Sequence, residues 1–189
     1  MVTIRHERTH DVAPREKLLD QAFGEGRDAK TAERLREGRL PADKLSFVAT
    51  ENGRLVGTVR LWNVSAGPQR PALLLGPVAV AESHRNRGIG AGLMRHALGY
   101  ARLHRHRAVL LVGDAPYYGR FGFSAEKAAD LWLPGPFERH RFLGYELVPG
   151  ALAGARGLVA AAGRFAAKPE LSALVARFGQ NDKVAPQVA

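Results

Sequence analysis

The spacing of hydrophobic residues divides the first half of the chain into alternating helices and strands. Residues 2–7 alternate between apolar and polar side chains, as a short strand does. Hydrophobic residues at helical spacing then predict a helix over residues 12–23, and a second short helix follows over residues 31–38. The chain therefore begins with a strand and two helical segments.

Residues 45–80 carry a strong strand signal. Residues 45–50 form one predicted strand, and residues 54–62 return antiparallel to it. Asn52-Gly53 lies between them and suits a two-residue hairpin turn, because both positions tolerate positive φ. Residues 72–80 are apolar enough to form a third strand in the centre of the sheet.

Pro77 leaves two alternatives for this third strand. Proline cannot donate a ladder hydrogen bond, so it belongs on an edge strand or at a bulge. Gly76 beside it favours a bulge. If the strand is central, its pairing with one neighbour must break near this dipeptide, and backbone groups are then free to face a ligand.

The following segment predicts a helix that crosses from one parallel strand to the next. Residues 85–105 carry an apolar face that contains Ile89 and Leu93, and residues 108–112 form a buried strand. A strand, a helix and a strand in this order make a βαβ unit. Two last strands are predicted at residues 131–133 and 141–148, so the fold class is α/β (α+β), with a mixed and mostly antiparallel sheet.

The composition changes after Gly150, where alanine and glycine become frequent. Residues 151–178 are predicted to be helical in two pieces that break at Pro169. The predicted organisation is a domain over residues 3–149, a helical extension over residues 150–180, which packs on the domain or joins two protomers in a homodimer, and a loose tail over residues 181–189.

Composition and charge narrow the function. The 189 residues contain no cysteine, which excludes disulfides and thiolate metal sites, and no metal is expected. The chain shows no secretory signal and no long apolar span, so a soluble, cytoplasmic protein with no membrane partner is expected. The net charge of +10 favours a phosphorylated or polyanionic partner. Nucleic acid is one such partner, with residues 102–107 as the basic stripe, although no nucleic-acid-binding motif accompanies it.

Residues 78–92 are the most informative stretch. A predicted central strand runs into a basic, glycine-rich turn that opens a helix, and the first turn of a helix has unpaired N–H groups and a partial positive charge. Gly88 and Gly90 allow backbone amides to approach an anion closely. The stretch lacks the Gly-Lys-Ser/Thr of a P-loop and the full glycine pattern of a dinucleotide site. It predicts a pyrophosphate cradle, and the alternative is a capped helix with two small residues for packing.

These residues resemble a known superfamily. Arg85-Asn86-Arg87-Gly88-Ile89-Gly90 is similar to the acyl-CoA signature (Gln/Arg)-x-x-Gly-x-(Gly/Ala) of the GNAT superfamily of N-acetyltransferases. Gly76-Pro77 falls where that superfamily has a strand bulge, and residues 118–123 resemble its Tyr-x-x-x-Gly-Phe segment. Residues 114–123 and 133–136 resemble the YhbS-like branch of bacterial acetyltransferases.

The resemblance implies an acetyl-CoA site. It assigns the acyl-CoA contacts to these residues: Val78, Ala79, Val80, Arg85, Asn86, Arg87, Gly88, Ile89, Gly90 and Ala91. The amides of residues 87–91 would bind the pyrophosphate, and Arg85 would add charge. The backbone of residues 78–80 would pair with the pantetheine arm, and the amide of Val78 would donate to the thioester carbonyl.

The resemblance also implies the catalytic residue. Tyr118 lies four residues before Gly122, the matching position for a general acid that protonates the CoA thiolate. Tyr117 is the alternative, and both tyrosines could instead be core aromatics. A general base is not evident: Glu25, Asp114 and His84 are weighed for this role, and the superfamily also deprotonates amines through water.

The implied function is direct transfer of an acetyl group from acetyl-CoA to a primary amine of a small molecule or protein in a ternary complex. By resemblance, residues 22–40 and the strands near Trp132 and Phe142 shape the acceptor site. The charge of the chain favours an acidic or phosphorylated acceptor. A non-catalytic acyl-CoA-binding module is the principal alternative.

Overall fold

The computed structural model describes residues 1–24, 26–27 and 31–167. The regular elements of these residues are β1 (Val2–His6), α1 (Val12–Phe23), β2 (Ser46–Glu51), β3 (Arg54–Ala66), β4 (Pro71–Val80), α2 (Ile89–Leu103), β5 (Ala108–Val112), α3 (Ala115–Gly119), β6 (Leu131–Trp132), β7 (Phe142–Glu146) and β8 (Gly157–Ala161). None of the helices among them is long and apolar enough to span a lipid bilayer.

The strands form one mixed sheet in the order β1-β2-β3-β4-β5-β7. Neighbours along this path are antiparallel except β4 and β5, which are parallel and joined by α2. The predicted βαβ unit and the mostly antiparallel sheet are therefore confirmed. The hairpin between β2 and β3 is also confirmed, since Asn52 and Gly53 both have positive φ.

β4 is central, yet half of it lacks a partner on one side. It pairs with β3 from Pro71 to Val80, with a register shift opposite Val59 and Leu61. Its pairing with β5 covers only Leu73 and Leu74. The bulge alternative for Gly76-Pro77 is confirmed and the edge-strand alternative is wrong. β4 and β5 separate after Leu74, because a proline has no N–H with which to continue a ladder.

Alternate residues of β4 serve two cores on opposite faces of the sheet. Leu73 and Leu75 pack with the buried face of α2, which contributes Ile89, Leu93, Met94, Ala97, Leu98 and Ala101. Leu74 packs on the other face with Leu35 and Phe142. Because strand side chains alternate between faces, each core needs only every second residue of the strand.

Two of the predicted helices are shorter in the structure than the sequence pattern indicates. The crossover helix begins at Ile89 rather than at residue 85, because Asn86 and Gly88 adopt left-handed backbone angles that an α-helix excludes. Residues 31–38 form only a 3-10 turn at Glu33–Leu35. Leu35 alone of that turn is buried, so the segment has too little apolar surface to support a longer helix.

The helical prediction for the first part of the C-terminal extension is wrong. Residues 157–161 form β8, which pairs with the end of β3 and with β6. Gly154 and Gly157 have positive φ, which interrupts a helix, and Val159 is buried while its neighbours are exposed. Residues 157–161 form a strand because the free edge of β3 offers hydrogen-bond partners to their backbone. Residues 168–189, with the second predicted helical piece and the tail, lie outside the described residues.

The turn that follows β3 offers a test of how β8 is anchored. Gly67 has positive φ, and a Cβ there would lie 2.1 Å from the carbonyl oxygen of Arg156, directly before β8. Gly53 has nearly the same φ but an open surrounding. We expect Gly67→Ala to lower the free energy of unfolding by about 3 kcal/mol and Gly53→Ala by about 1 kcal/mol. Urea denaturation measures both, and equal losses would contradict the contact with Arg156.

Candidate functional site

The site is built on the unpaired half of β4. The N–H of Ala81 donates to the carbonyl of Val56 at 2.9 Å, so at this position the backbone of the chain points toward β3. Backbone groups alternate in direction along a strand. The N–H and C=O groups of Val78 and Val80 therefore point away from β3, toward the gap that β5 has left. These groups are available to an extended ligand in the gap.

Packing on both faces holds this half of β4 in place. Val78 and Val80 pack against the α2 core, whereas Ala79 packs on the other face against Leu18 and Leu19 of α1. Side chains anchor the strand and leave its backbone free. A site made of backbone groups explains why apolar residues can occupy it.

The loop that follows β4 leads directly into the N-terminus of α2. Gly88 caps the helix in a left-handed conformation, and the first helical bond runs from the N–H of Gly92 to the carbonyl of Gly88 at 2.9 Å. The N–H groups of residues 89–91 therefore have no partner within the helix. Ile89 is buried and fixes the helix start against the sheet. This geometry has the unpaired amides and positive dipole end that bind an anion.

The two arginines of this loop differ in their ion pairing. Arg87 donates to Glu51 at 2.7 and 3.1 Å, and His84 lies 3.0 Å from the same carboxylate. The hydrogen bond from Arg87 lowers the pKa of Glu51 to about 2, so Glu51 is ionised and offsets the charge of Arg87. Arg85 is exposed and has no ion pair within the described residues. Sequence reasoning missed Glu51, since only tertiary folding brings the end of β2 to this loop.

The two tyrosines of α3 occupy different places. The hydroxyl of Tyr117 lies 3.0 Å from where a Cβ of Gly90 would be, so it borders the anion cradle. The ring of Tyr118 covers Gly113 at the end of β5 and contacts the α2 core. Gly113 admits this ring because a Cβ there would lie 2.1 Å from it. α3 thus places one hydroxyl at the N-terminus of α2 and the other ring beside the end of β5.

Burial makes the Tyr118 hydroxyl a weaker acid than a free phenol. It raises the pKa of Tyr118 to about 12, because the phenolate loses solvation. The hydroxyl therefore stays protonated at neutral pH and remains a hydrogen-bond donor.

The residues weighed as general bases have other partners or lie outside the described part. Asp114 caps α3 by accepting from the N–H of Tyr117 at 3.3 Å, and His84 contacts Glu51. Glu25 lies outside the described residues. Among the residues that the structure describes, no group of three or more histidine, aspartate or glutamate side chains could hold a metal ion.

The face opposite α2 brings together two segments that were expected to shape an acceptor site. Arg34 donates to the carbonyl of Pro134 at 2.9 Å, and Thr31 donates to that of Pro136. Leu35 and Phe142 share one core, whereas Trp132 is exposed beneath Arg139. Arg36 follows Leu35 and reaches the bulge of β4 at Gly76. No sequence signal distinguished Arg36 from its neighbours.

The basic residues at the end of α2 are partly bonded to the protein and partly exposed to solvent. Arg102 donates to the hydroxyl of Tyr145 at 2.9 Å, and Arg105 and Arg107 are exposed. Tyr145 is an aromatic neighbour, but it is half-buried and packs against Phe123. The run therefore has the arrangement of a solvated helix end.

Comparison with known proteins agrees with this architecture. The sequence profile of the acetyltransferase (GNAT) family matches residues 13–123. The uncharacterized N-acetyltransferase YhbS of Escherichia coli K12 is 31% identical over 158 residues, which cover 82% of this chain and 93% of that protein. The uncharacterized N-acetyltransferase YjhQ of the same strain is 27% identical, over 74% of this chain and 83% of that protein.

Two solved structures extend the likeness to the fold. The crystal structure of Escherichia coli YhbS in complex with CoA has a TM-score of 0.73 and 30% identity, covering 85% of this chain and 89% of that one. A GNAT family acetyltransferase from Brucella melitensis in complex with acetyl-CoA has a TM-score of 0.57 and 28% identity, covering 77% and 96%. The family profile, these relatives and the split between β4 and β5 agree with one another. The chain therefore belongs to the GNAT family of N-acetyltransferases.

Proposed function

We propose that this protein transfers the acetyl group of acetyl-CoA directly to a primary amine in a ternary complex. The observation that carries the proposal is the gap between β4 and β5. It exposes the backbone of Val78 and Val80 and ends at the N-terminus of α2. A thioester cofactor with a polyamide arm and a pyrophosphate matches both features, and two related structures hold CoA or acetyl-CoA.

In this proposal the cofactor is bound mostly by backbone. The N–H groups of residues 87–91 bind the pyrophosphate, with Asn86 and Gly88 setting the turn that aims them. Arg85 adds a charge that Glu51 does not offset. The pantetheine arm lies along residues 78–80 as an additional strand, and Val78 and Val80 provide its hydrogen bonds.

The chemistry needs a donor at the carbonyl and a proton for the leaving group. The amine nitrogen attacks the thioester carbon, and the N–H of Val78 stabilises the oxyanion that forms. The carbon–sulfur bond then breaks, and the sulfur takes the proton of the Tyr118 hydroxyl. The amine loses one proton through water, and a second proton exchange restores the phenol. The products are an N-acetylated amine and CoA.

Calorimetric titration tests the cofactor site first. We expect acetyl-CoA to bind with a Kd in the micromolar range and desulfo-CoA to bind equally well, since the sulfur contributes little to binding. ATP should bind at least about tenfold more weakly, because it lacks the arm that pairs with β4. No binding of acetyl-CoA by the folded protein would overturn the proposal.

Binding would be followed by a screen of amines with detection of free CoA thiol. Thiol release that depends on an amine, with acetylated product, supports transfer. Tight binding of acetyl-CoA without release to any amine would instead support a non-catalytic binding module.

A further inference from the structure

Arg36 is a buried cation with unused hydrogen-bonding capacity. Its side chain is 9% exposed, and its Nη1 donates to Glu33 Oε2 at 2.9 Å. Its Nε is buried and has no hydrogen-bond partner among the residues that the structure describes. Burial lowers the pKa of Arg36, yet a guanidinium keeps its proton at neutral pH. Buried polar groups in native proteins nearly always have a partner, and no described residue supplies one for this N–H group.

The position of Arg36 relates it to the transfer site. Its Nη2 lies 3.0 Å from where a Cβ of Gly76 would be, at the point where β4 separates from β5. The carbonyl of Gly76 accepts from Nε1 of Trp62 at 2.7 Å, which fixes the strand there. Arg36 thus touches the strand two residues before Val78.

Arg36 approaches the gap from the face opposite the phosphate cradle. Leu35, Trp62 and Leu74 belong to the core on its face, whereas Val78 packs toward α2 on the other face. A cofactor bound at the N-terminus of α2 therefore leaves the Arg36 side of the gap to the second substrate. Arg36 places a guanidinium on that side, with the Glu33 carboxylate on its Nη1.

We propose that Arg36 binds a carboxylate or phosphate group of the acceptor, so that the acceptors are primary amines that also carry an acidic group. The inference rests on the proposed function and names its substrate class. Nε and Nη2 form one edge of the guanidinium, and this edge matches two oxygens of a carboxylate or phosphate. Glu33 accepts from Nη1, and no acceptor among the described residues bonds the buried Nε.

The geometry also sets a length for the acceptor. Gly76 and Val78 are two residues apart, which is at most about 6–7 Å along a regular strand, and the bulge at Gly76-Pro77 makes the distance shorter. The attacked carbonyl lies near Val78 and the acidic group near Gly76. A spacer of a few bonds between amine and acid spans that distance, as in 4-aminobutyrate or O-phosphoethanolamine.

The test compares amines that differ only in the acidic group. The matched pairs are 4-aminobutyrate with butylamine and O-phosphoethanolamine with ethanolamine. We expect kcat/KM to favour the acidic member of at least one pair by about tenfold or more, since charge-assisted hydrogen bonds are strong. The pair with the larger preference distinguishes a carboxylate from a phosphate acceptor.

Two variants separate recognition from structure. Arg36→Met keeps the aliphatic stem and is expected to bring the ratio of kcat/KM between the acidic and the neutral member of each pair close to one, whatever its effect on the absolute rates. Glu33→Gln removes the carboxylate that competes for Arg36 and is expected to raise the preference about threefold. A purely structural ion pair would instead give equal losses for both members of each pair in both variants.

The outcomes are distinguishable from failure of the proposed function. Calorimetry with acetyl-CoA is run on every variant, and binding of 4-aminobutyrate and of O-phosphoethanolamine is measured on protein saturated with desulfo-CoA. Equal rates for acidic and neutral amines, with acetyl-CoA bound, would overturn the role of Arg36 alone, as would absent binding of both acidic probes. Absent binding of acetyl-CoA would overturn the proposed function and this inference together.

Discussion

Replacing Tyr118 with phenylalanine is expected to lower kcat about 100-fold, because the proposed mechanism then lacks its proton donor for the CoA thiolate. The Kd for acetyl-CoA should stay within about twofold of the wild-type value, since the ring that covers Gly113 is retained. Steady-state kinetics with an acetylated amine measures kcat, and calorimetry measures Kd.

Tyr117→Phe is the matched control for this prediction. The hydroxyl of Tyr117 borders Gly90 at the anion cradle, so its loss should raise KM for acetyl-CoA and leave kcat nearly unchanged. If Tyr117→Phe lowered kcat and Tyr118→Phe did not, the general acid would be Tyr117. If neither lowered kcat, protonation of the thiolate by a tyrosine would be excluded as the rate-limiting event.

Replacing Gly90 with valine is expected to weaken acetyl-CoA binding by about tenfold or more, which corresponds to about 1.4 kcal/mol of binding free energy. Gly90 lies in the first turn of α2, where a side chain would stand between the backbone amides and the pyrophosphate. Even a Cβ meets the Tyr117 hydroxyl at 3.0 Å. The flexible end of that side chain can move, so the protein should keep its stability.

Gly99→Val provides the control, since it makes the same change in the same helix. Gly99 lies in the second half of α2, is exposed, and has no atom within 4 Å of an added Cβ. Valine favours a helix over glycine by a few tenths of a kcal/mol at either position. Both variants should therefore unfold near the wild-type temperature in a calorimetric scan, and equal binding of acetyl-CoA by the two would refute the cradle at Gly90.

Local signals in the sequence were sufficient for the hairpin, for the strand over residues 72–80 and for the βαβ unit, whereas the structure decided that this strand is central and bulged. Asn52-Gly53 predicts its turn because both residues accept positive φ, and both adopt it. The pattern around Ile89 and Leu93 predicts the buried face of α2. These elements were predictable because the interactions that define them lie within a few residues of the chain.

The same local reasoning gave a wrong prediction for the C-terminal segment, and the cause is physical. Its alanines and leucines fit a helix, but the unpaired edge of β3 at residues 64–66 offers hydrogen bonds that a local pattern does not show. Pairing with β3 and β6 buries Val159 in the core opposite α2. The pairing with β3 and β6 therefore outweighed the helix propensity of these residues.

By itself the sequence determined a glycine-rich turn between a central strand and a helix, which is the frame of a cofactor site, because backbone geometry depends on glycine and proline at known positions. Only the tertiary structure decided which charges meet there. Glu51 reaches Arg87 from β2, and Arg36 reaches Gly76 from a distant 3-10 turn. Contacts between residues far apart in the chain depend on how the sheet and its two faces assemble, and that assembly is a property of the whole core.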